Sequence, residues 1–501
     1  MEKLRFSFIT YGCKLNYSEY STIKRNLLNL GYQYVSWDTF ANIYIINTCT
    51  ITENAEKDFF LLIRKIKKTN KNAYIILLGC FPQKLYKTET ENIYKTENNT
   101  ENTENILKNV NLILGTKDKF YLPYYLKLKN KTALALNAKA KTNSTNSTSY
   151  SNSNSTYYNS TSYSNSNSTY YNYNSTYYNY NYNSTYYNYN YNSTYYYNSS
   201  VSLNETRTRS FLKIQDGCDY KCSYCPIPNL RGKSRSENIY NIIKTIKKLA
   251  LLNIKEIVLT GINIGNFVNF GFNKKKYDLF YLLNKIEQKI NYKIRIRISS
   301  IEPNLLNNRI INFISKSKIF VPHFHLPLQS GSNYILNKMK RRYNVKIYIK
   351  KVNKILNIIP EACVGTDIIV GFPGEKESNF LETYNLLKSL ELAYIQVFPY
   401  SERENTDAYF MKETIPKILR YKRSKIIRLL SKQKNKNYCL KNLFNHYRVL
   451  FEKTNKNGYI FGFTDTYIRS KIKWKPNLIN KFKEVKLIKI DNYNNMECQI
   501  L

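Results

Sequence analysis

The residues most clearly suited to chemistry are three cysteines within a span of eight positions. Cys218, Cys222 and Cys225 form a C-x3-C-x2-C pattern directly after an apolar run. Three thiolates on one short loop can bind three irons of a cubane iron–sulfur cluster. Such clusters ordinarily take four cysteines, so the lack of a local fourth would leave one iron open to a substrate or cofactor. The spacing therefore predicts chemistry at iron.

A structural zinc site completed by a distant residue is the competing interpretation. Zinc sites usually add a second cysteine pair or histidines further along the chain, and no second pair of that kind follows here. His323 and His325 are two positions apart on a predicted strand, so they share a face, but barrel-lining packing is the commoner role for such a pair. The pattern favours iron–sulfur chemistry over zinc.

A second set of cysteines, Cys13, Cys49 and Cys80, is dispersed in the sequence, but each follows a predicted strand. The strands lie at 6–10, 43–47 and 74–79, and amphipathic stretches at about 18–30 and 53–68 predict helices between them. Neighbouring strand ends of a parallel sheet lie side by side, which would bring the three thiols to one edge. A second cluster is favoured over three inert buried cysteines.

A longer alternation of strands and helices positions the C-x3-C-x2-C loop. Six repeats of one βα unit predict an α/β barrel or partial barrel whose site lies where the strands end. After residue 414 a Lys/Arg-rich helix leads to a β segment at about 447–501, which fits a small barrel. The six candidate strands lie at 211–214, 256–260, 293–298, 323–328, 363–370 and 393–398.

A low-complexity segment separates these two regions. From 142 to 200 every residue is Thr, Asn, Ser or Tyr, and the block Asn-Ser-Thr-Tyr-Tyr recurs with a period of nine. A segment with no aliphatic residue and no charge cannot bury a core, so it predicts a disordered insert between folded domains. Its tyrosines could stack on nucleic-acid bases, but a repeat expansion with no function is the favoured interpretation.

The charge balance limits the partners. The chain holds 77 Lys and Arg against 35 Asp and Glu, a net charge of +42, and nucleic acid is the expected compensating polyanion. An acidic membrane surface is the alternative, but no apolar run could span a bilayer, and residues 1–10 lack the features of a signal peptide. We therefore expect a cytoplasmic protein, in which the nine cysteines do not form disulfides. Cys363, Cys439 and Cys498 are expected to be structural.

The sequence resembles the radical S-adenosylmethionine (SAM) methylthiotransferases over nearly all of the chain outside the insert. The C-terminal stretch from Gly458 to Arg469 looks like the RNA-binding TRAM module of that family. The other matching motifs occur in the family's order: Thr10-Tyr-Gly-Cys-Lys-Leu-Asn16, Asn47-Thr-Cys49, Gly79-Cys80, the three-cysteine loop with Arg231-Gly-Lys-Ser-Arg235, and Leu326-Pro-Leu-Gln-Ser-Gly-Ser332.

The resemblance implies an architecture of three domains, and the low-complexity composition adds a linker between the first two. A methylthiotransferase domain with parallel α/β structure would occupy residues 1–125, and a linker with the low-complexity repeat would occupy 126–203. A radical SAM partial (β/α)6 barrel would follow at 204–436, and a TRAM-like β-barrel at 437–501. The family joins its first two domains without such a repeat, so the insert is a departure from its pattern.

The resemblance also implies two [4Fe-4S] clusters and a mechanism. The cluster on Cys218, Cys222 and Cys225 would chelate SAM through its open iron and cleave it reductively, giving a 5′-deoxyadenosyl radical that takes hydrogen from adenine C2. Sulfur would come from the cluster on the other three cysteines, Cys13, Cys49 and Cys80, and the methyl group from another SAM.

Six further residues are candidate SAM contacts. Tyr224 resembles the family's adenine-packing aromatic, and Thr260-Gly261-Ile-Asn263 looks like the stretch that lines the amino and ribose groups. Barrel geometry adds three residues at or beyond strand ends, for which strand-end packing is an equal alternative: Glu302, Gln329 and Gly371.

Within the family, the residues after Cys13 and the stretch Ser299-Ser-Ile-Glu-Pro303 look like the branch that acts on N6-threonylcarbamoyladenosine of tRNA. The implied partners are tRNA and an electron donor such as a flavodoxin or ferredoxin. The isopentenyladenosine branch, a non-catalytic iron–sulfur RNA-binding protein and a radical SAM enzyme for small molecules or proteins are the alternatives. The charge favours RNA, because residues 411–501 hold 22 Lys and Arg against 6 Asp and Glu, a net +16.

Overall fold

The computed structural model describes residues 4–49, 53–90, 107–127, 208–271, 275–290 and 293–501. The repeat at 142–200, with its predicted disorder, lies outside these residues, as does the rest of the predicted linker from 128 on. The chain divides into two compact units. The first comprises Met1–Tyr11, Ile23–Thr50 and Asn54–Tyr196, and the second Gly12–Thr22, Ile51–Glu53 and Tyr197–Leu501.

The first unit contains a five-stranded parallel sheet with the strand order β2-β1-β3-β4-β5. Every residue of the central strand β3 is buried, as expected for a strand covered on both faces. The predicted parallel α/β layout is confirmed. The strands are β1 (Arg5–Thr10), β2 (Gln33–Tyr34), β3 (Ile43–Thr48), β4 (Tyr74–Gly79) and β5 (Leu112–Leu114); the helices that begin among them are α1 (Lys14–Asn29), α2 (Glu53–Thr69) and α3 (Cys80–Thr90).

The second unit contains the predicted partial barrel. Two three-stranded parallel sheets have the orders β12-β9-β6 and β13-β14-β15, and a parallel bridge between Ile296 and Phe320 connects them. The six strands are β6 (Arg209–Lys213), β9 (Glu256–Thr260), β12 (Arg295–Ile298), β13 (His323–His325), β14 (Cys363–Val370) and β15 (Tyr394–Pro399). Two short pairs add β7 (Gln215–Asp216) with β8 (Arg235–Ser236), and β10 (Val268–Phe270) with β11 (Lys276–Asp278).

Of the six barrel strands, β13 falls furthest short of its predicted length. The apolar run at 323–328 predicts six residues, but β13 ends at His325. Pro327 has no backbone N–H to donate to a neighbouring strand, and the next amide, of Leu328, bonds to the Thr366 hydroxyl instead of a carbonyl. The missing N–H of Pro327 therefore explains why β13 ends early.

Eight helices accompany the barrel strands in the described part of the second unit. Four of them begin after a side chain that accepts a backbone N–H from the first turn, provided by Asn238, Asp278, Asn307 and Asn344, which are favoured N-cap residues. The helices are α4 (Ile227–Arg231), α5 (Ile239–Leu251), α6 (Leu279–Lys289), α7 (Asn308–Lys316), α8 (Asn333–Lys338), α9 (Val345–Ile358), α10 (Glu377–Ser389) and α11 (Lys417–Lys441).

The C-terminal strands form a closed five-stranded barrel, as the sequence predicts. Asn457 and Gly458 both have positive φ angles, 53° and 76°, as a two-residue type I′ hairpin turn requires, and they join the first two strands. The strands are β16 (His446–Lys456), β17 (Tyr459–Thr464), β18 (Arg469–Lys473), β19 (Phe482–Ile490) and β20 (Met496–Ile500).

Buried charges attach this barrel to the strands of the partial barrel. Arg295 donates from Nε to Glu256 Oε2 at 2.7 Å and from Nη1 to Asp465 Oδ1 at 2.8 Å. Arg297 donates to the other oxygen of Glu256 at 3.0 Å. Burial alone would raise the pKa of Glu256, but the guanidinium groups of Arg295, Arg297 and Arg209 lower it to about 2. Glu256 is therefore ionised at neutral pH.

We expect Glu256→Gln to lower the free energy of unfolding by about 3–5 kcal/mol, because it leaves two buried guanidinium groups without their carboxylate. In the parent protein this stabilisation is present above the unfolded pKa and is lost as the pH falls from about 4.5 towards 2; the variant lacks this loss. In a Trp37→Phe background Trp474 is the remaining tryptophan, so its fluorescence during urea unfolding reports on the C-terminal barrel.

The matched control is Arg309→Gln, which breaks the exposed ion pair with Asp278 (3.1 Å). Its expected cost is below about 1 kcal/mol. Equal losses in the two variants would contradict the assigned role of Glu256.

Candidate functional site

The three-cysteine loop lies between the end of β6 and helix α4, and backbone contacts fix its start. Gly217 has φ +69°, and a Cβ there would come within 2.1 Å of the Lys233 carbonyl oxygen. The Gly217 amide donates to Asp216 Oδ1 at 2.8 Å, and the Cys218 amide donates to the Gly232 carbonyl at 3.0 Å. Only glycine fits at position 217, so the sequence Asp-Gly-Cys sets the path of the loop.

The middle of the loop is anchored at Ser223. Its amide donates to the Met339 carbonyl at 3.1 Å, and its hydroxyl donates to the Lys338 carbonyl at 2.8 Å. Its own carbonyl accepts the Ala408 amide at 2.7 Å. These three bonds hold the segment between the second and third cysteines.

Hydrogen-bond donors surround two of the three sulfur atoms. Cys218 Sγ accepts from the Tyr220 amide at 3.4 Å and lies 3.9 Å from Asn263 Nδ2, and Cys222 Sγ accepts from Arg341 Nη1 at 3.2 Å. Donors to sulfur are one means by which proteins adjust iron–sulfur clusters. The donor set therefore fits such a cluster.

Burial raises the pKa of all three thiols, that of Cys225 to about 12. Thiols in this setting are neutral at pH 7 unless a metal takes the place of the proton, because metal ligation requires the thiolate.

Gln215, which precedes this loop, lies against two candidate SAM contacts, Asn263 and Gly261. The Asn263 amide donates to Gln215 Oε1 at 2.8 Å, and a Cβ on Gly261 would lie 2.8 Å from the same oxygen. Asn263 Oδ1 is buried and has no hydrogen-bond partner among the described residues. It is an acceptor available to a ligand.

Arg341 joins two other candidate SAM contacts to the loop. Besides Cys222, it donates to the Tyr224 hydroxyl at 3.3 Å and forms an ion pair with Glu302. Burial raises the pKa of Glu302 despite this guanidinium. No role was predicted for Arg341 or Gln215; the signal for Arg341 is its place in the basic run Lys338-Met-Lys-Arg-Arg342.

Gln329 and Gly371 lie on neighbouring backbone segments. Gln329 forms an isolated parallel bridge with Ile368 and has φ 69°. The Gly371 amide, directly after β14, donates to Glu375 Oε2 at 2.6 Å. The next residue, Phe372, makes an edge contact with Tyr224 at 6.4 Å between ring centroids, which relates Gly371 to the cysteine loop.

The dispersed cysteines occupy the predicted strand ends. In the first unit, β3 and β4 pair with Thr48 opposite Gly79, and Cys49 and Cys80 are the residues that directly follow these two strands. The Thr48 hydroxyl donates to the Leu78 carbonyl at 2.7 Å and accepts the Phe81 amide at 3.3 Å. These bonds fasten the two strand ends together.

Cys13 belongs to the second unit and directly precedes α1. Its carbonyl accepts the Tyr17 amide at 3.1 Å, so it takes part in the first turn of that helix. The thiol-bearing residue is exposed, whereas Cys49 and Cys80 are buried.

The remaining metal-binding residue types form no single-ion site. Within residues 4–501, apart from the stretches left undescribed, no three His, Cys, Asp or Glu side chains could hold one metal ion. A cubane cluster differs, because each thiolate binds a separate iron. His323 and His325 are buried on β13, where His323 Nε2 lies 3.0 Å from the Tyr394 hydroxyl. Cys363, Cys439 and Cys498 are also buried.

Two family matches cover the two functional regions. Residues 212–387 match the Radical SAM superfamily, and residues 5–100 match "Uncharacterized protein family UPF0004". The radical SAM match implies one [4Fe-4S] cluster and SAM.

Curated relatives extend over most of the chain. The threonylcarbamoyladenosine tRNA methylthiotransferase MtaB of Bacillus subtilis is 28% identical, over 96% of this chain and 93% of the relative. The protein of the same name from Rickettsia prowazekii is 30% identical, over 85% and 82%. The tRNA-2-methylthio-N(6)-dimethylallyladenosine synthase of Karelsulcia muelleri is also 30% identical, over 87% and 85%.

Among solved structures, the radical S-adenosylmethionine methyltransferase TsrM from Kitasatospora setae matches with a TM-score of 0.47 and 9% identity. The match covers 81% of this chain and 77% of that one. In the described residues no helix has the length and apolar character needed to cross a membrane.

If Cys222 ligates a cluster, Arg341→Gln should shift the reduction potential of that cluster to more negative values. The variant loses both a positive charge and a donor to sulfur, and either loss disfavours the added electron. We expect a shift of about 60 mV, which corresponds to tenfold in a one-electron couple. An anaerobic redox titration followed by electron paramagnetic resonance measures it.

Arg342→Gln is the control, because Arg342 is an exposed arginine stacked over Tyr220 at 4.0 Å. Water screens its charge, so the shift should be smaller. The same shift in both variants would show that the bond to Cys222 has no special effect.

Proposed function

The chain belongs to the radical SAM tRNA methylthiotransferase family, and from this we propose that it converts N6-threonylcarbamoyladenosine beside the tRNA anticodon to its 2-methylthio derivative. The observation that carries the proposal is the three-cysteine loop with hydrogen-bond donors on its sulfurs, in a chain whose relatives of that name match over most of their length.

Cys218, Cys222 and Cys225 hold the [4Fe-4S] cluster of the radical SAM site in this proposal. When bound, the cluster and SAM supply the 5′-deoxyadenosyl radical that removes hydrogen from adenine C2. The residues around the loop bind and orient SAM. Asn263 offers its buried Oδ1 as an acceptor, and Tyr224 offers a half-buried ring held by Arg341. Glu302, Gly261, Gln329 and Gly371 complete the set of proposed contacts.

Cys13, Cys49 and Cys80 ligate a second [4Fe-4S] cluster, the source of sulfur. What supports this is the register of the sheet in the first unit. Thr10 pairs with Asn47, and Asn47 pairs with Leu78, so the ends of β1, β3 and β4 are level. Cys49 and Cys80 directly follow the ends of β3 and β4, and Cys13 follows the end of β1 by three residues.

The substrate branch rests on sequence motifs. Cys13-Lys-Leu-Asn16 and Ser299-Ser-Ile-Glu-Pro303 resemble the threonylcarbamoyladenosine branch, whereas a relative named for dimethylallyladenosine has the same 30% identity as the Rickettsia protein. The isopentenyladenosine branch is therefore the second candidate.

RNA binding is assigned to the C-terminal barrel, which we propose as a TRAM-like domain at 437–501. It follows a methylthiotransferase domain at 1–125 and a radical SAM core at 204–436. Lys473, Lys483 and Lys489 are exposed there and can contact phosphates. An electron donor such as a flavodoxin or ferredoxin would reduce the cluster that Cys218, Cys222 and Cys225 would hold. We place the reaction in the cytoplasm, where thiols stay reduced.

The activity test uses reconstituted enzyme, SAM, a chemical reductant and two tRNAs, one with threonylcarbamoyladenosine and one with isopentenyladenosine. We expect the 2-methylthio nucleoside from the first tRNA only, detected by mass spectrometry of digested RNA. Product from the second tRNA only would move the enzyme to the other branch. No methylthio product from either would reject the proposed function.

Cysteine variants separate the two clusters. The parent protein should bind about eight irons, and Cys222→Ala and Cys49→Ala about four each. Cys222→Ala should form no 5′-deoxyadenosine, because two thiolates cannot anchor a cluster that also needs an open iron. Cys49→Ala should cleave SAM but give no methylthio nucleoside. Iron analysis and both product assays on one preparation make the comparison.

Cys363→Ala is the control, since this buried cysteine lies within β14, and it should retain about eight irons. Loss of SAM cleavage in folded Cys49→Ala would contradict the division of labour between the clusters.

Replacing Lys473, Lys483 and Lys489 together by Ala should weaken tRNA binding and flatten its salt dependence. Each lost phosphate contact lowers the slope of log K against log[salt] by about 0.7–0.9. Filter binding at several salt concentrations measures both quantities. SAM cleavage without tRNA should be unchanged.

The matched control replaces three exposed lysines of α5, Lys244, Lys247 and Lys248, and so removes the same charge. If this control lowers the affinity and the slope as much as the barrel variant does, the barrel has no special part in RNA binding.

A further inference from the structure

The first turns of α1 carry two buried polar side chains whose partner lies far away in the sequence. Asn16 and Glu19 are each 1% exposed, and Gly12–Thr22 belongs to the same compact unit as the three-cysteine loop. Their shared partner is Arg231, the last residue of α4, which follows that loop directly.

The contact is a fork of charge-assisted hydrogen bonds. Arg231 donates from Nη1 to Glu19 Oε1 at 3.1 Å and from Nη2 to Glu19 Oε2 at 3.2 Å. Nη2 also donates to Asn16 Oδ1 at 2.8 Å. Bidentate pairing of this kind fixes orientation as well as distance.

The same guanidinium group also bonds to a residue just before the cysteine loop. Arg231 Nη1 donates to Asp216 Oδ1 at 3.1 Å, and that oxygen accepts the amide of Gly217 at 2.8 Å. Lys213 lies 3.2 Å from Glu19 Oε1 and 3.4 Å from Asp216 Oδ2. One buried network therefore connects α1 with the residue before Cys218.

We propose that Arg231, through Asn16 and Glu19, is a positioning residue that fixes Cys13 relative to the loop of Cys218. Cys13 lies less than one helical turn before Asn16, and its carbonyl accepts the Tyr17 amide at 3.1 Å. Whatever holds Asn16 and Glu19 thus holds Cys13. The catalytic consequence, that sulfur transfer stays coupled to SAM cleavage, rests on the proposed function.

Charge in place of apolar packing has a physical reason here. A buried ion network gains little net stability over well-packed hydrophobic residues. Apolar contacts are non-directional, so they would let α1 rotate or slide by a fraction of a turn at small cost. A guanidinium group that makes hydrogen bonds on several sides is held in one position and orientation. The network is suited to fixing position.

The test compares Asn16→Ala and Glu19→Gln with Ser18→Ala in anaerobically reconstituted protein. Ser18 is a matched control because it is also buried in α1, but its hydroxyl donates to the Leu15 carbonyl (2.8 Å) of the same helix. Hydrogen exchange is measured by mass spectrometry on peptides that cover residues 14–22 and 214–222. The ratio of 5′-deoxyadenosine to methylthio nucleoside is measured on the same preparations.

Both variants, unlike the control, should speed exchange in both peptides, although the substitution lies only in α1. With iron content retained, they should cleave SAM within about twofold of the parent protein and raise the ratio of 5′-deoxyadenosine to product about tenfold or more. Arg231→Lys keeps the charge but loses the fork, so it should also raise the ratio.

Three results would overturn the proposal. Unchanged exchange at 214–222 would show that α1 does not hold the loop, whether or not the enzyme makes any methylthio product. Faster exchange with an unchanged product ratio would remove the positioning role. A parallel fall of both products would indicate general loss of structure. If the parent protein makes no methylthio nucleoside, the proposed function fails, while the exchange data still decide whether the network holds the loop.

Discussion

The functional site depends on a steric constraint at Gly217. The chain turns there from a barrel strand into the three-cysteine loop, and the Lys233 carbonyl lies where a Cβ would be. Because this close approach also brings the Gly232 carbonyl to the Cys218 amide, the start of the loop is anchored by backbone contacts. A loop anchored in this way can present sulfur atoms at fixed positions, as a cubane cluster with one open iron needs.

Buried charge is the second organising feature of this unit. Arg231, Arg295 and Arg341 each pair with a largely buried carboxylate, from Glu19, Glu256 and Glu302 respectively. Such pairs are poor sources of stability, because desolvation offsets most of the attraction. Their common effect is geometric: they join α1, the C-terminal barrel and the cysteine loop to their neighbours in the same unit through directional bonds.

Local patterns in the sequence predicted most of the architecture. The strand ends before Cys13, Cys49 and Cys80 and the six barrel strands all follow from short-range periodicity. The roles assigned to the cysteines and to the SAM contacts stay predictions. Arg341 was assigned no role, and Arg231 entered only as part of a matching family motif, without its contacts. Arg341 bonds to Cys222, 119 positions away, and Arg231 to Glu19, 212 positions away, and no local pattern encodes a contact at that separation.

Arg295 and Arg297 explain why the C-terminal barrel is more than an appended module. Asp465, in the loop between β17 and β18, accepts from Arg295, and Arg297 donates to the backbone carbonyl of the same residue at 3.3 Å. The two arginines lie on β12, which pairs with β9, and β9 pairs with β6, the strand that leads into the cysteine loop. The surface proposed to bind RNA phosphates is therefore connected, through paired strands rather than a flexible linker, to the place where the radical chemistry is proposed. Rigid connection of this kind is what a modification at one chosen adenosine requires, since a small misplacement of reacting atoms costs orders of magnitude in rate.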